Sequence, residues 1–595
     1  VPPSARNTFL PATPEDMVLR GWANLDVILI TGDACIDAPS MGIAIIGRVL
    51  EAAGFRVGII AQPDPEKAED FTRLGQPRLF WGVSAGSVDS MVANYTASRK
   101  RRQSDDYTPG GINNRRPDRA CIVYANRIRR YGKGEEKKPI LLGGIEASLR
   151  RVSHYDFWDN KIRRSILFDA KADYLLYGMA ESSVLAFAHA LAENKDPSAI
   201  RGLCHIGKDI PEGYLELPSF EETSMDKNAF LSMFASFYAN NDPLTAKGLA
   251  QAHGDRFLIQ NPPFPYTETP ELDALHALPF TRELHPEDAK KGPVRALETI
   301  RHSITSHYGC YGECNFCAIA VHQGRTVRSR SENSLLEEAK NLIRRRDFKG
   351  ILPDVGGPTA NMYGFECRKK LNKGPCTDRR CLFPEVCPAL KPDHGPQRRL
   401  LKKIRSLEGV RKVFVASGVR HDLLLADQKE GPAYLKELVA HHVSGQMKLA
   451  PEHISPSVLK HMGKPGPESL LRFRDLFFSL TREAGKAQFL TYYFIAAHPG
   501  CTQTDMKELA AFSEKMLKIH PEQVQIFTPT PSTWSAAMYW TERDPVTGAP
   551  LFVEKEEAGK KRQKDVLTGG SRIAPGPSRP RRPQPDGGKK QRNRS

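Results

Sequence analysis

Two stretches of the chain alternate short apolar segments with helical ones. In the first, Leu25-Asp-Val-Ile-Leu-Ile-Thr31 is β-rich, and a helical pattern follows from Met41 to Ala53. Phe55-Arg-Val-Gly-Ile-Ile-Ala61 is the next strand, with Gly54 as the stop of the preceding helix. Leu79–Ser84, Pro139–Gly144 and Asp173–Gly178 read as further strands; helices are predicted over 118–131 and after Gly178 as far as Ala192. This order predicts an α/β domain over 1–200, an open parallel sheet of Rossmann type. Ligands of such sheets lie in the crevice at the carboxyl ends of the strands. Gly32-Asp33, Ser84-Ala-Gly86, Gly143-Gly144 and Gly178 stand at those ends. Glycine there admits a close backbone approach, although a tight turn explains each as simply.

From 201 to 292 the pattern breaks into Pro-rich, irregular sequence, expected to be a linker packed along the surface. A second alternating stretch starts near Pro293. Its strands are predicted at 300–306, 350–355, 413–416, 447–450, 489–495 and 524–527, and its helices at Glu332–Arg345, Pro432–His442, Pro467–Ala484 and Gln503–Ile519. These make six β/α units, whose functional residues belong just after the strand ends.

A chain of 595 residues is too long for one core, so two or more domains are expected. Hydrophobic content of 40% and charged content of 26% are those of a soluble globular protein. No apolar run approaches the roughly 18 residues of a membrane span, so no membrane association is expected. The start, Val1-Pro-Pro-Ser-Ala-Arg-Asn7, lacks the charged-then-apolar order of a secretory signal. Seven of the eleven cysteines fall between 310 and 387, a spacing of metal ligands in a reducing compartment rather than of disulfides. A cytoplasmic setting is therefore expected. The net charge of +17 is concentrated at the end, where residues 560–595 carry twelve Lys or Arg against two Asp. That Pro/Gly-rich segment is expected to be a disordered basic tail. It is read as a solvated end, with weak, non-specific nucleic-acid contact as the alternative.

The candidate chemistry begins at Cys310, Cys314 and Cys317, in the run His307-Tyr-Gly-Cys-Tyr-Gly-Glu-Cys-Asn-Phe-Cys317. A [4Fe–4S] cube normally takes four thiolates. The C-x3-C-x2-C spacing supplies three and leaves one iron open to a small molecule. A zinc knuckle would show paired Cys arms, and this run has no second arm; three unrelated thiols are the bland reading. A strand is predicted to run straight into this loop. Asp354-Val-Gly-Gly-Pro358, Ser417-Gly-Val-Arg-His-Asp422 and Pro451-Glu-His453 follow the next strands. Tyr311 and Phe316 beside the cysteines either shield a cluster or pack in the core.

A second group, Cys367, Cys376, Cys381 and Cys387, spaced C-x8-C-x4-C-x5-C, lies in an insertion over 361–395, with His394 close by. The insertion is rich in Lys, Pro and Gly, and a metal would order it. Zinc on four thiolates and a second iron–sulfur cluster fit equally well, beside the plain reading of four reduced thiols. Cys35, Cys121 and Cys204 read as small buried hydrophobes.

The first cysteine run resembles that of the radical S-adenosylmethionine (SAM) superfamily. Ile-Thr-Gly-Asp (30–33), Gly-Phe-Arg-Val-Gly-Ile-Ile-Ala-Gln-Pro-Asp (54–64), Leu-Gly-Gly-Ile-Glu-Ala-Ser-Leu-Arg-Arg (142–151), Asp-Val-Gly-Gly-Pro-Thr-Ala-Asn-Met-Tyr (354–363) and Ala-Pro-Glu-His (450–453) look like the YgiQ-type radical SAM proteins, over roughly residues 8 to 560. The resemblance implies a partial (β/α)6 barrel over 293–559, a [4Fe–4S] cluster on Cys310, Cys314 and Cys317, and SAM on its open iron. It implies that SAM is cleaved reductively, with an electron donor such as flavodoxin or ferredoxin, to start radical chemistry on an unknown substrate. By the same resemblance Gly356 and Gly357 meet the methionine amino group, while Ser417, Arg420 and Glu452 reach other parts of SAM. Pro358 stands where the superfamily often has an acid. Arg420 offers a planar fork suited to a carboxylate; for Arg420, Glu452 and His453 an ion pair or helix cap is the plain alternative.

The first domain also resembles the cobalamin-binding domains of many radical SAM enzymes, at Asp37-Ala-Pro-Ser-Met-Gly42, Leu142-Gly-Gly144 and Asp173-Tyr-Leu-Leu-Tyr-Gly-Met-Ala-Glu181. No His occupies the expected place in the first loop, so that loop offers cobalt no axial ligand and bound cobalamin is the less favoured reading. Cobalamin-dependent methyl transfer and a non-catalytic iron–sulfur protein docking RNA or a ribosomal partner are the rival functions.

Overall fold

The computed structural model describes residues 8–132, 136–521 and 524–569. Its first half is built on a nine-stranded sheet. Val27–Thr31 pairs in parallel with Val57–Ala61 on one side and Phe80–Ser84 on the other; Ile140–Leu142 and Tyr174–Leu176 continue the parallel order. All five residues of the first two strands are buried. Burial on both faces explains why they read as unbroken apolar runs rather than alternating ones. Helices Gly42–Ala52, Ala120–Tyr131 and Glu181–Ala192 supply the connections.

Residues 201–292, expected as an irregular linker, instead extend this sheet. Leu203–Gly207 pairs antiparallel to Tyr174–Leu176, and Arg256–Gln260, Leu249–His253 and Leu215–Leu217 follow outward. The signal was a hairpin: two five-residue strands flank Gly254-Asp255, and Gly254 has φ +66°, a conformation that suits glycine in such turns. Only the later part of the segment is irregular. It crosses between the halves, where Thr281 N–H donates to Asp37 and Arg282 pairs with Glu338 of helix Glu332–Ile343.

The second half follows a sequential parallel order. Ile304–Thr305 pairs with Val355–Gly356, Ile351–Leu352 with Lys412–Val413, Gln446–Glu452 with Phe489–Ala496, and the last with Val524–Ile526. A parallel bridge from Val419 to Leu449 joins the third and fourth units. The first strand is shorter than predicted, because Ala296–Ile300 is helical. The halves are not separately cored: Phe527, Ala537 and Tyr539 belong to the same apolar cluster as Trp81 and Tyr155, and the Tyr155 and Trp540 rings stack at 5.1 Å.

The tail expectation also changes at its start. Glu557–Thr568 is a helix with Lys560, Gln563 and Leu567 buried. Positions three and four apart share a helix face, so these side chains anchor it, and the Lys560 ammonium lies 5.1 Å from the Phe157 ring centroid. The tail beyond Gly569 lies outside the described residues. Among the described residues, no helix is long and apolar enough to cross a membrane.

Candidate active site

The cysteine run leaves strand His307–Tyr308 and enters the short helix Ile319–His322. Cys310, Cys314 and Cys317 are all half-buried. The loop turns tightly, with Cys317 N–H donating to Cys314 O at 3.0 Å and Glu313 at φ +44°. Gly312 marks the focus. A Cβ there would stand 3.2 Å from Cys310 Sγ, 3.6 Å from Cys314 Sγ and 3.3 Å from Arg420 Nη1. Gly312 N–H donates to Cys310 Sγ at 3.3 Å, the Thr359 hydroxyl lies 3.4 Å from the same sulfur, and Arg420 Nη1 lies 3.7 Å from Cys314 Sγ.

This donor set fits an iron–sulfur cluster. Thiolate sulfurs carry negative charge, and hydrogen bonds to them help set a cluster's potential. Burial raises the Cys310 thiol and takes Cys317 up to about 12, with Cys314 the next cause for both. Metal binding displaces such protons. Among the described residues, no three His, Cys, Asp or Glu side chains are grouped as ligands of a metal ion.

The loops after the next strands converge on the same end of the barrel. Ser417 Oγ donates to Asp354, which also accepts from Ala416 N–H at 2.8 Å. Gly356 faces that pair, with the Ser417 hydroxyl 3.5 Å from where its Cβ would be. A Cβ on Gly357 would fall 2.6 Å from the His307 ring, so only glycine permits this approach. Arg420 is buried, and its Nε and Nη2 meet the two oxygens of Asp422 at 2.9 and 2.5 Å. Its fork is therefore committed to Asp422, leaving Nη1 toward the cysteines. Against the cost of burial, the Asp422 carboxylate raises the Arg420 guanidinium, and Arg420 in turn holds Asp422 well below the usual carboxylate range.

Glu452 ends its strand in a left-handed conformation, φ +69°, next to a register shift. A non-glycine residue held there carries strain of a kind concentrated at functional sites. Burial raises its carboxyl group, opposed by Lys464, whose Nζ is 3.8 Å away. His453, in contrast, serves its own loop: Nδ1 accepts from Ser455 N–H at 3.0 Å, and burial takes the ring down to about 4.

A cavity of about 560 Å³ lies between the two halves, within the range for small-molecule sites. Thr31, Ser84, Gly86, Gly144 and Gly178 bring it to the carboxyl ends of the sheet; Asp354, Gly356, Gly357 and Ser417 form its barrel edge. Much of the remaining wall is aliphatic, and Glu181, Tyr308 and His322 add polar groups.

The family model described as Radical SAM N-terminal matches residues 9–303. A UPF0313 protein of Fusobacterium nucleatum is 54% identical over 560 residues, 94% of this chain and 98% of its own. The chain belongs to the UPF0313 family. A Thermotoga maritima member is 47% identical with the same coverage, and this UPF0313 chain is a YgiQ-type radical SAM protein. Among solved structures, the radical SAM methyltransferase TsrM of Kitasatospora setae, with cobalamin and a [4Fe–4S] cluster bound, aligns with TM-score 0.46 and 15% identity, covering 86% of this chain and 77% of that one. OxsB, a cobalamin-dependent SAM radical enzyme with aqua-cobalamin bound, aligns with TM-score 0.48 and 13% identity, covering 90% and 58%.

Two supporting residues of the candidate site were not singled out from the sequence. His307 is fully buried, with Nδ1 2.9 Å from Ser306 Oγ and Nε2 2.9 Å from Thr359 O; burial takes it down to about 4, so it is neutral at pH 7. Asn361 bonds both backbone groups of Arg420, donating to its O at 3.0 Å and accepting from its N–H at 2.8 Å. Both stood in quoted motifs, but only a partner across the fold gives each a role. His394 pairs with Asp427 through Nδ1 at 2.8 Å and meets Asn361 through Nε2 at 3.1 Å, so both its nitrogens are occupied away from the second cysteine group. In the first-strand loop, Asp37 is held by Arg48 at 3.0 Å and by Thr281 N–H at 2.9 Å, while Pro39 to Gly42 line the cavity.

Proposed function

We propose that this chain is a radical SAM enzyme in which Cys310, Cys314 and Cys317 hold a [4Fe–4S] cluster and SAM occupies its open iron. The substrate fills the cavity between sheet and barrel. The observation that carries this reading is the gathering of Cys310, Cys314 and Arg420 around Gly312, beside Gly356 and Ser417 on the cavity edge. When bound, the cluster supplies the electron that cleaves the SAM sulfonium and starts radical chemistry.

The chain's own residues bind and orient. Gly356 and Gly357 present backbone to the methionine end of SAM. Ser417, fixed by Asp354, presents its oxygen there as an acceptor. Arg420 holds positive charge against the thiolates, kept in place by Asp422 and Asn361. Glu452, whose burial favours the protonated acid, is assigned to the SAM hydroxyls as a hydrogen-bonding group. The aliphatic cavity wall keeps water from a reactive radical. The electron comes from a donor of the flavodoxin or ferredoxin class. We assign the cavity to substrate in preference to cobalamin: its first loop contains no His and its Asp37 is already paired with Arg48, so a cobalamin there would have to be held without an axial ligand from that loop.

Anaerobic reconstitution tests this. Reduced wild type is expected to give a cubane EPR signal that shifts when SAM is added, to yield 5′-deoxyadenosine, and to carry no corrinoid absorbance. Cys314→Ala is expected to lose the signal. A spectrum indifferent to SAM would remove the open-iron assignment.

A further inference from the structure

The insertion grips the first cysteine loop. Lys370, on helix Arg368–Lys373 and 2% exposed, places Nζ 3.0 Å from Oε1 of Glu313, which lies between Cys310 and Cys314. Arg380 Nη1 donates to Glu313 O at 3.0 Å and to Asn315 Oδ1 at 2.7 Å. Cys367 N–H donates to the hydroxyl of Tyr311 at 3.3 Å. Three insertion residues thus hold Tyr311 and Glu313, between Cys310 and Cys314, and Asn315, between Cys314 and Cys317.

The clamp has little of its own to keep it rigid. Between Cys367 and Cys387 its regular structure is that six-residue helix, too short to be stable by itself. Three of its four cysteines, however, meet at one apolar cluster. Cys367 and Cys387 are buried in one small apolar cluster with Tyr311, and Cys381 packs against it. Cys387 N–H donates to Cys381 O at 2.8 Å. The Lys370 ammonium lies 3.7 Å from Cys381 Sγ, suited to a thiolate. Cys376 is half-buried on the same insertion, beside Lys369.

We propose that Cys367, Cys376, Cys381 and Cys387 bind a second metal centre, which orders the insertion so that Lys370 and Arg380 clamp the Cys310–Cys317 loop. Four thiolates suit zinc(II) or an iron–sulfur cluster. The clamp rests on the cluster reading of Cys310–Cys317; the second centre does not.

The test uses the full chain purified without oxygen. In Cys310→Ala/Cys314→Ala/Cys317→Ala, zinc, iron and sulfide analysis is expected to find about one zinc or about four irons with four sulfides. Cys381→Ser/Cys387→Ser is expected to lose that metal. A triple variant without zinc or iron, or metal content unchanged in the Ser variants, overturns the second centre whatever becomes of the SAM assignment. Because the Ser variants can simply misfold, Lys370→Met tests the clamp separately. It is expected to keep both metals and to need about tenfold more SAM for the EPR shift, the worth of one charged hydrogen bond. A SAM titration equal to wild type overturns the clamp.

Discussion

Asn361→Ala probes the loop that carries Arg420. The Asn361 side chain is fully buried and satisfies both the N–H and the carbonyl of Arg420, besides meeting His394. Alanine leaves the Arg420 N–H without a partner, at about 1–3 kcal/mol where water cannot reach it, while the Arg420 carbonyl keeps the Leu424 N–H at 3.2 Å. With one orphaned group, a loss of about 2 kcal/mol is expected. Because the halves share a core, the loss is spread over a unit of about 560 residues, and at about 2.1 cal/mol/K per residue it lowers the melting midpoint by about 2 °C. Arg420 loses one backbone anchor at the same time; Asp422 still holds its fork, so the guanidinium facing Cys314 should be less firmly placed rather than released. Iron at Cys310–Cys317 should be retained, because Asn361 bonds none of those cysteines, while the SAM-induced EPR shift should require more SAM. Calorimetry and a SAM titration on the same reconstituted sample read both effects. A midpoint within 1 °C of wild type, together with an unchanged titration, would refute the view that Asn361 positions this loop.

Other groups give independent tests. His307 titrates at about 4 when folded, against an ordinary 6.5, so its contribution is present above pH 6.5 and is lost as pH falls through 4. The urea midpoint of wild type should fall between pH 7 and 5, and His307→Gln should remove about 2 kcal/mol of that fall; an equal fall in both would contradict the assignment. Glu338 is buried between Arg282 and Arg330. Glu338→Ala strands two guanidinium groups, and a loss of about 3–5 kcal/mol is expected. Faster tryptic cleavage within 261–292 should accompany it, and unchanged cleavage would show that this pair does not hold the crossing segment.

How much was legible follows from the range of each signal. The parallel strands of the first half and the six units of the second were readable because burial of a strand leaves its mark within five to eight residues. Val27–Thr31, Val57–Ala61 and Phe489–Ala496 lie inside or within a residue of the predicted runs. The cysteine spacing was equally local. The hairpin through Gly254 was local too, but the prolines around it masked it. The helix Glu557–Thr568 was hidden by its own composition, because its buried face includes a lysine and a glutamine.

By itself, the sequence determined the alternation of strands and helices, the three-cysteine motif and the positions of loops after strands. Each is set by covalent order and by side chains a few residues apart. Only the tertiary structure decided that Arg420 turns its fork to Asp422, that Asn361 holds Arg420 from 59 residues away, and that Lys370 reaches Glu313 across 57. It also decided that the sheet and barrel ends close on one cavity. A buried polar group must find a partner wherever the packed chain brings one, and that partner cannot be read from either residue's neighbours.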